Sequence, residues 1–316
     1  MAWAKRFGCG VGLGLGLLAG ADAQAGPKHP DFTGTWSGAS LTSLERPPDF
    51  KGLVATAEET AKYEKARRGK PPDIPPDDPD HAVGGAESEW WETDVGLARI
   101  RGEVRSSWIY APADGQLPIR PEAKAFFKAR RERRKVDFDN PEGREQNERC
   151  IETDGAGPPY QNGGYNDNLE LVLTPDALAM HSEWMSSLRI VRIGASGHLP
   201  PGLRVPGGDA IAHWEGDTLV VETSNFLPRD VDDPKGDPKA DMRTVERFSR
   251  IGPDELLYSF RVTNPAVFSQ SWAGEMVLQR AKKPMYEYAC HEGNYGLANM
   301  LAGARHLEAT AATVGK

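Results

Sequence analysis

Long apolar runs are missing from most of this chain. After the first 25 residues no stretch approaches the ~20 apolar residues of a membrane-crossing helix, so no membrane span is expected. Basic charge is in deficit: 38 Lys and Arg stand against 46 Asp and Glu, a net charge of −8. That balance argues against nucleic acid and anionic membrane surfaces as partners. The basic run Arg130, Arg131, Arg133, Arg134 and Lys135 is read as favourable charge at a helix C-terminus. Recognisable catalytic signatures are also absent. There is no Gly-x-Ser-x-Gly elbow, phosphate loop, dinucleotide fingerprint or His-Glu-x-x-His helix. The familiar hydrolases, kinases, Rossmann enzymes and zincins are thereby excluded, but catalysis as such is not.

Cysteine is scarce, with three in 316 residues. Cys9 lies inside an N-terminal segment that has the parts of an export signal. These are Lys5 and Arg6, an apolar Gly/Leu run from Val11 to Leu18, and small residues around Ala21, Ala23 and Ala25. Residues 1–25 are read as a signal peptide, and a periplasmic or secreted location is expected. Cleavage leaves Cys150 and Cys290, which in an oxidising compartment are expected to form one disulfide. Two isolated cysteines are a poor zinc site. The acidic loop 228–241 lacks EF-hand ligand spacing, and "GGDAIAHW" lacks the His-x-His of a cupin centre. No metal and no cofactor are expected.

What the chain does contain is β texture. Residues 26–316 are read as a single β-rich domain carrying a Pro/Asp-rich loop insertion around 70–90. "DFTGTWSG" (31–38) and Trp108–Ala111 read as strands. Residues 56–69 read as a polar surface helix, Pro121 to about Arg134 as a second and "GLANMLAGARH" as a third. From residue 169 onward nine segments from "LELVLT" to "MYEYAC" read as strands, most of them joined by short turns. Alternation is clean in "LLYSFRVT", where Leu256, Tyr258, Phe260 and Val262 share one face. A meander this long must bury one face and tends to close. The fold class is mainly β: an antiparallel meander forming a barrel or strongly curved sheet, with a few peripheral helices.

Two resemblances follow. "FTGTWSG" is similar to the Gly-x-Trp strand that opens lipocalin and calycin barrels. The resemblance implies that Trp36 closes the barrel floor and that Arg280, on a late strand, stacks on it. Residues 39–104 have no counterpart in a lipocalin. The segments "YAPADGQLPIRPEAKA", "HWEGDTLVVETSNF" and "YEYACHEGNYGLANMLAGAR" resemble a large family of exported bacterial proteins over nearly the whole length, from about Asp31 to Arg305. That resemblance implies a shared β-rich fold and export; it brings no activity with it.

Three polar clusters stand out. If Met185–Ser187 forms a three-residue hairpin loop, Glu183 faces Arg189, and His181, Glu183 and Arg189 share one face. Trp184 then lies on the apolar face. Turned outward, the polar face is a surface ion pair; turned into a barrel lumen, it is an acid/base cluster with an anion-binding Arg. His213 and Trp214 sit beside a hairpin turn and are read either as lining a cavity mouth or as a packing pair. Around Cys290, the residues His291, Glu292, Asn294 and Tyr295 are read either as a ligand site held rigid by the disulfide or as a structural clasp. The catalytic candidates are thus His181, Glu183, Arg189, His291 and Glu292; the ligand-binding candidates are Trp184, His213, Trp214, Asn294 and Tyr295. The leading functional expectation is binding of a small, partly apolar molecule in the barrel lumen. The alternatives are a lyase, isomerase or hydrolase using His/Glu acid–base chemistry there, and a structural module of the envelope.

Overall fold

A computed structural model describes residues 29–68, 92, 95–144, 148–151, 155–227 and 241–314. The expected signal peptide, the insertion around 70–90 and nearly all of the acidic loop 228–241 lie outside the described residues. Strands β1 (Gly34–Ser37), β2 (Arg99–Ile100), β3 (Glu103–Val104) and β4 (Ile109–Ala111) precede a β-rich half. That half holds β5 (Asn168–Leu173), β6 (Ala177–Ser182), β7 (Leu188–Ile193), β8 (Asp209–Glu215), β9 (Thr218–Ser224), β10 (Arg243–Gly252), β11 (Glu255–Thr263) and β12 (Trp272–Arg280). Three α-helices are present among the described residues: α1 (Ala57–Arg67), α2 (Pro121–Val136) and α3 (Gly296–Val314).

Strands β5 to β12 follow one another around the sheet, and β1 pairs with both β5 and β12, closing a barrel of nine strands. The short β4 adds to β12 at the other end of the same seam. Pairing is antiparallel except between β7 and β8. A parallel pair needs the chain to return to its starting end, and the Gly/Pro-rich segment 194–208 makes that return. β1 takes the place that "MYEYAC" holds in the sequence reading. That segment is not a strand: β12 stops at Arg280, Pro284 intervenes, and 285–290 runs outside the sheet.

Alternation puts the apolar side chains inward. Leu256, Tyr258, Phe260 and Val262 of β11 join Trp36, Leu169, Met180, Val221, Phe248 and Met276 in one packed cluster. These side chains pack against one another inside the barrel. Trp36 is fully buried, stands opposite Leu169 on one side and Arg280 on the other, and donates its indole N–H to the Phe32 carbonyl at 2.8 Å. Gly34 explains the Gly-x-Trp spacing. Its φ is +136°, and a Cβ there would lie 1.8 Å from Arg280 Nη1. Only glycine lets the guanidinium pass beneath β1.

At the opposite end, where β6 stops and β7 starts, the segment 155–167 folds over the barrel. Ala156 and Tyr160 are fully buried in the core cluster, and the Tyr160 hydroxyl donates to the Asn166 carbonyl at 2.7 Å. A smaller apolar cluster, Phe50, Ala55, Tyr63 and Leu97, seats α1 outside the barrel. A capping box between Thr56 and Glu59 starts that helix.

Candidate functional site

The β6–β7 hairpin differs from the three-residue loop expected for it. Ser182 N–H bonds the Ser187 carbonyl, which leaves a four-residue turn from Glu183 to Ser186, and Met180 pairs with Arg189 while His181 pairs with Leu188. Relative to the expected register, β7 has slipped by three residues. An odd slip exchanges faces. Arg189 therefore points inward with Met180, while His181 stays on the outer face, 3.2 Å from Glu170. The proposed face of His181, Glu183 and Arg189 does not form.

Inside, Arg189 meets a partner that the sequence reading did not single out. Its two terminal nitrogens clasp the Glu246 carboxylate, and Nη2 also reaches Thr223 Oγ1 at 2.7 Å. Tyr258 donates to Glu246 Oε1 at 2.6 Å and accepts from the Tyr160 N–H at 2.8 Å. Burial and the adjacent Glu246 charge push the Tyr258 hydroxyl well above its ordinary range, so it remains a donor. The chain Tyr160–Tyr258–Glu246–Arg189–Thr223 ties the covering segment to four strands. Arg189 Nε and Thr244 Oγ1 are buried with no hydrogen-bond partner.

A second polar centre lies outside the barrel at the same end. Cys150 and Cys290 are disulfide-bonded, with Cα atoms 5.7 Å apart and a sequence separation of 140. The bond holds the segment 285–290 against the β6–β7 turn. Together they border an open pocket of about 340 Å³ lined by Tyr165, Glu183, Tyr286, Glu287, Tyr288, Ala289 and Cys290. Two lining rings, Tyr165 and Tyr288, form a three-ring cluster with Trp184, with centroid separations of 5.2 to 6.4 Å.

Glu183 is fixed beside that cluster. Its Oε2 accepts from Asn168 N at 3.2 Å and Nδ2 at 3.0 Å, and the Asp167 N–H also donates to the carboxylate. Burial nevertheless raises its pKa, the hydrogen bonds only partly opposing. Asp167, behind it, is raised to about 7, first by burial and then by the Glu183 charge. No basic side chain among the described residues forms an ion pair with either carboxylate.

The remaining candidates separate. Trp214 points inward and stacks on His29 with centroids 4.2 Å apart, whereas His213 is exposed on the outer face beside Glu215. His291 and Glu292 are exposed in a turn after Cys290. Asn294 donates to the Glu148 carbonyl and to Cys150 Sγ, and Tyr295 is exposed. Of the ten sequence candidates, Glu183 lines the pocket, and Trp184 packs against two of its lining rings, Tyr165 and Tyr288. Tyr165, Asp167, Tyr286 and Tyr288 were missed; their signal was tyrosine and acid concentrated in "GGYNDN" and "YEYAC". Among the described residues, no group of three or more His, Cys, Asp or Glu could hold a metal ion, and no helix is long and apolar enough to cross a membrane.

No protein-family model matches the chain, and no curated protein is significantly similar to it. Among solved structures, the chain is similar to a point variant of the fluorescent protein UnaG (15% identity, 44% of this chain and 87% of that one, TM-score 0.24). It is also similar to a secretory abundant heat soluble protein from Ramazzottius varieornatus (12% identity, 43% of this chain and 87% of that one, TM-score 0.26). At this distance the likeness carries no argument about this chain.

Proposed function

We propose that this chain belongs to the exported bacterial β-rich proteins it resembles and binds a small, partly apolar molecule. The site is the aromatic-walled pocket outside the barrel, not the lumen. The pocket carries this reading: about 340 Å³, three tyrosines and Glu183 on its lining, and a disulfide at its edge. Small-molecule sites typically span roughly 300–1,000 Å³ and combine apolar walls with a few fixed polar groups. The packed apolar cluster inside the barrel favours a site outside it. The disulfide and the signal-like first 25 residues support export.

Trp184 supplies the assay. In a screen of small apolar, amphipathic and charged compounds against the full oxidised protein, ligands should change tryptophan emission. Tyr288→Ala should remove the response without unfolding the barrel. Hits that bind Tyr288→Ala as well as wild type would end the pocket reading. Acid–base catalysis at the same pocket is the second reading, favoured by the raised pKa of Asp167 beside Glu183. Product formed in excess over protein, and lost in Asp167→Asn, would select it over simple binding.

A further inference from the structure

We infer that the occupant of this pocket is a cation: an alkylated or quaternary amine whose charged head meets Glu183 and the aromatic lining of Tyr165, Tyr286 and Tyr288. This rests on the pocket reading above and gives it a ligand class.

Charge and ring geometry each lead there. Among the described residues, the lining holds two carboxylates, Glu183 and Glu287, and no basic side chain. Asp167 adds a third carboxylate behind Glu183. The nearby cation Lys283 lies 3.5 Å from Glu92, to which it is paired. Burial works against the charged form of Glu183 and Asp167 alike, and neither has a cationic partner among the described residues. A neutral occupant would strip water from these groups without replacing it. An anionic one would add like charge to like. A cation supplies the missing partner.

The rings fit the same occupant. On the lining, Tyr165 meets Tyr288 nearly edge-on at 6.1 Å, while Trp184 stacks on Tyr165 and is tilted 56° to Tyr288. Rings set at an angle present π faces from more than one direction. Aromatic faces attract cations, and such cages are the recurrent means of holding quaternary ammonium groups. The lining comes from three separate segments, around 165, 183 and 288. The disulfide fixes the last of these, so the site is formed before a ligand arrives.

Choline, 3,3-dimethylbutan-1-ol and 3,3-dimethylbutanoate share a shape and differ in charge. Calorimetric titration of the full oxidised protein should rank choline at least tenfold tighter than the neutral alcohol, with the carboxylate weakest. Glu183→Gln keeps an acceptor for Asn168 and should weaken choline about tenfold while leaving the alcohol unchanged. Glu287→Gln, at an exposed position, should weaken choline in the same direction if Glu183→Gln fails to fold. Equal binding of alcohol and choline would overturn the inference while the pocket reading stands. Absence of binding by all three probes would also overturn it, and the Tyr288→Ala comparison in the broader screen then decides the pocket by itself.

Discussion

The Arg280 guanidinium lies 4.2 Å from the centre of the Trp36 ring, on the seam where the first and last barrel strands meet. It also donates to the Thr33 carbonyl at 3.0 Å. Truncating Trp36 opens the floor of the core, so Trp36→Ala should cost about 3–5 kcal/mol in denaturant unfolding. Gly34→Ala should cost about 1–3 kcal/mol, because its φ and its contact with Arg280 both resist a side chain. Wild-type stability in either variant would remove the seam from the account.

Arg189 and Glu246 form a buried pair, and breaking one side leaves the other charge stranded. Arg189→Met should cost about 3–5 kcal/mol. The double variant Arg189→Met, Glu246→Leu should lose less than the two single losses combined. Additive losses in a double-mutant cycle would mean that the two side chains are not coupled.

The disulfide closes a loop across 140 residues. In the chain-entropy model such a loop stabilises by roughly 4–5 kcal/mol. Cys150→Ser should lower the unfolding midpoint accordingly and should also weaken any ligand held by Tyr288. Alkylation followed by mass measurement checks the bond, with thiols expected to react only after reduction.

Asp167 gives the stability curve a pH slope. Its pKa is about 7 in the folded protein against 3.8 ordinarily. Between about pH 4 and 7 the folded chain keeps a proton that the unfolded chain has released, so this group's contribution falls as pH rises through that window. Asp167→Asn should flatten the slope and raise stability at pH 8 by on the order of 1–2 kcal/mol, since water screens a partly buried carboxylate. An unchanged pH profile in the variant would refute the assignment.

The barrel was legible because alternation is a property of each strand by itself. Leu256, Tyr258, Phe260 and Val262 declare one face without reference to any neighbour, and Gly34, Trp36 and Arg280 match a spacing with a steric reason behind it. Glu246 shares phase with the buried Thr244 and Phe248, but the sequence reading did not single it out, because its partner Arg189 lies on a distant strand. Relations between segments were harder to read. One extra residue in the turn after Ser182 sends Arg189 to the opposite face, and nothing local in "SEWMSS" sets that length. "MYEYAC" has the composition of a strand, but β1 already occupies the sheet position it would need. The pocket is built from such relations: three segments distant in sequence, joined by a disulfide and by the turn length.

The double pairing of β1 also governs the order of events in biosynthesis. Gly34–Ser37 leaves the ribosome before every other barrel strand, yet both of its partners, around Leu169 and Arg280, are made much later. A nascent chain ending before Trp272 has eight of the nine barrel strands and two open edges, on β1 and β11. Such edges are templates for pairing with other chains. The ring locks only with the last strand, and long-range closure of this kind is slow. Unfinished chains are therefore the form of this protein most exposed to aggregation.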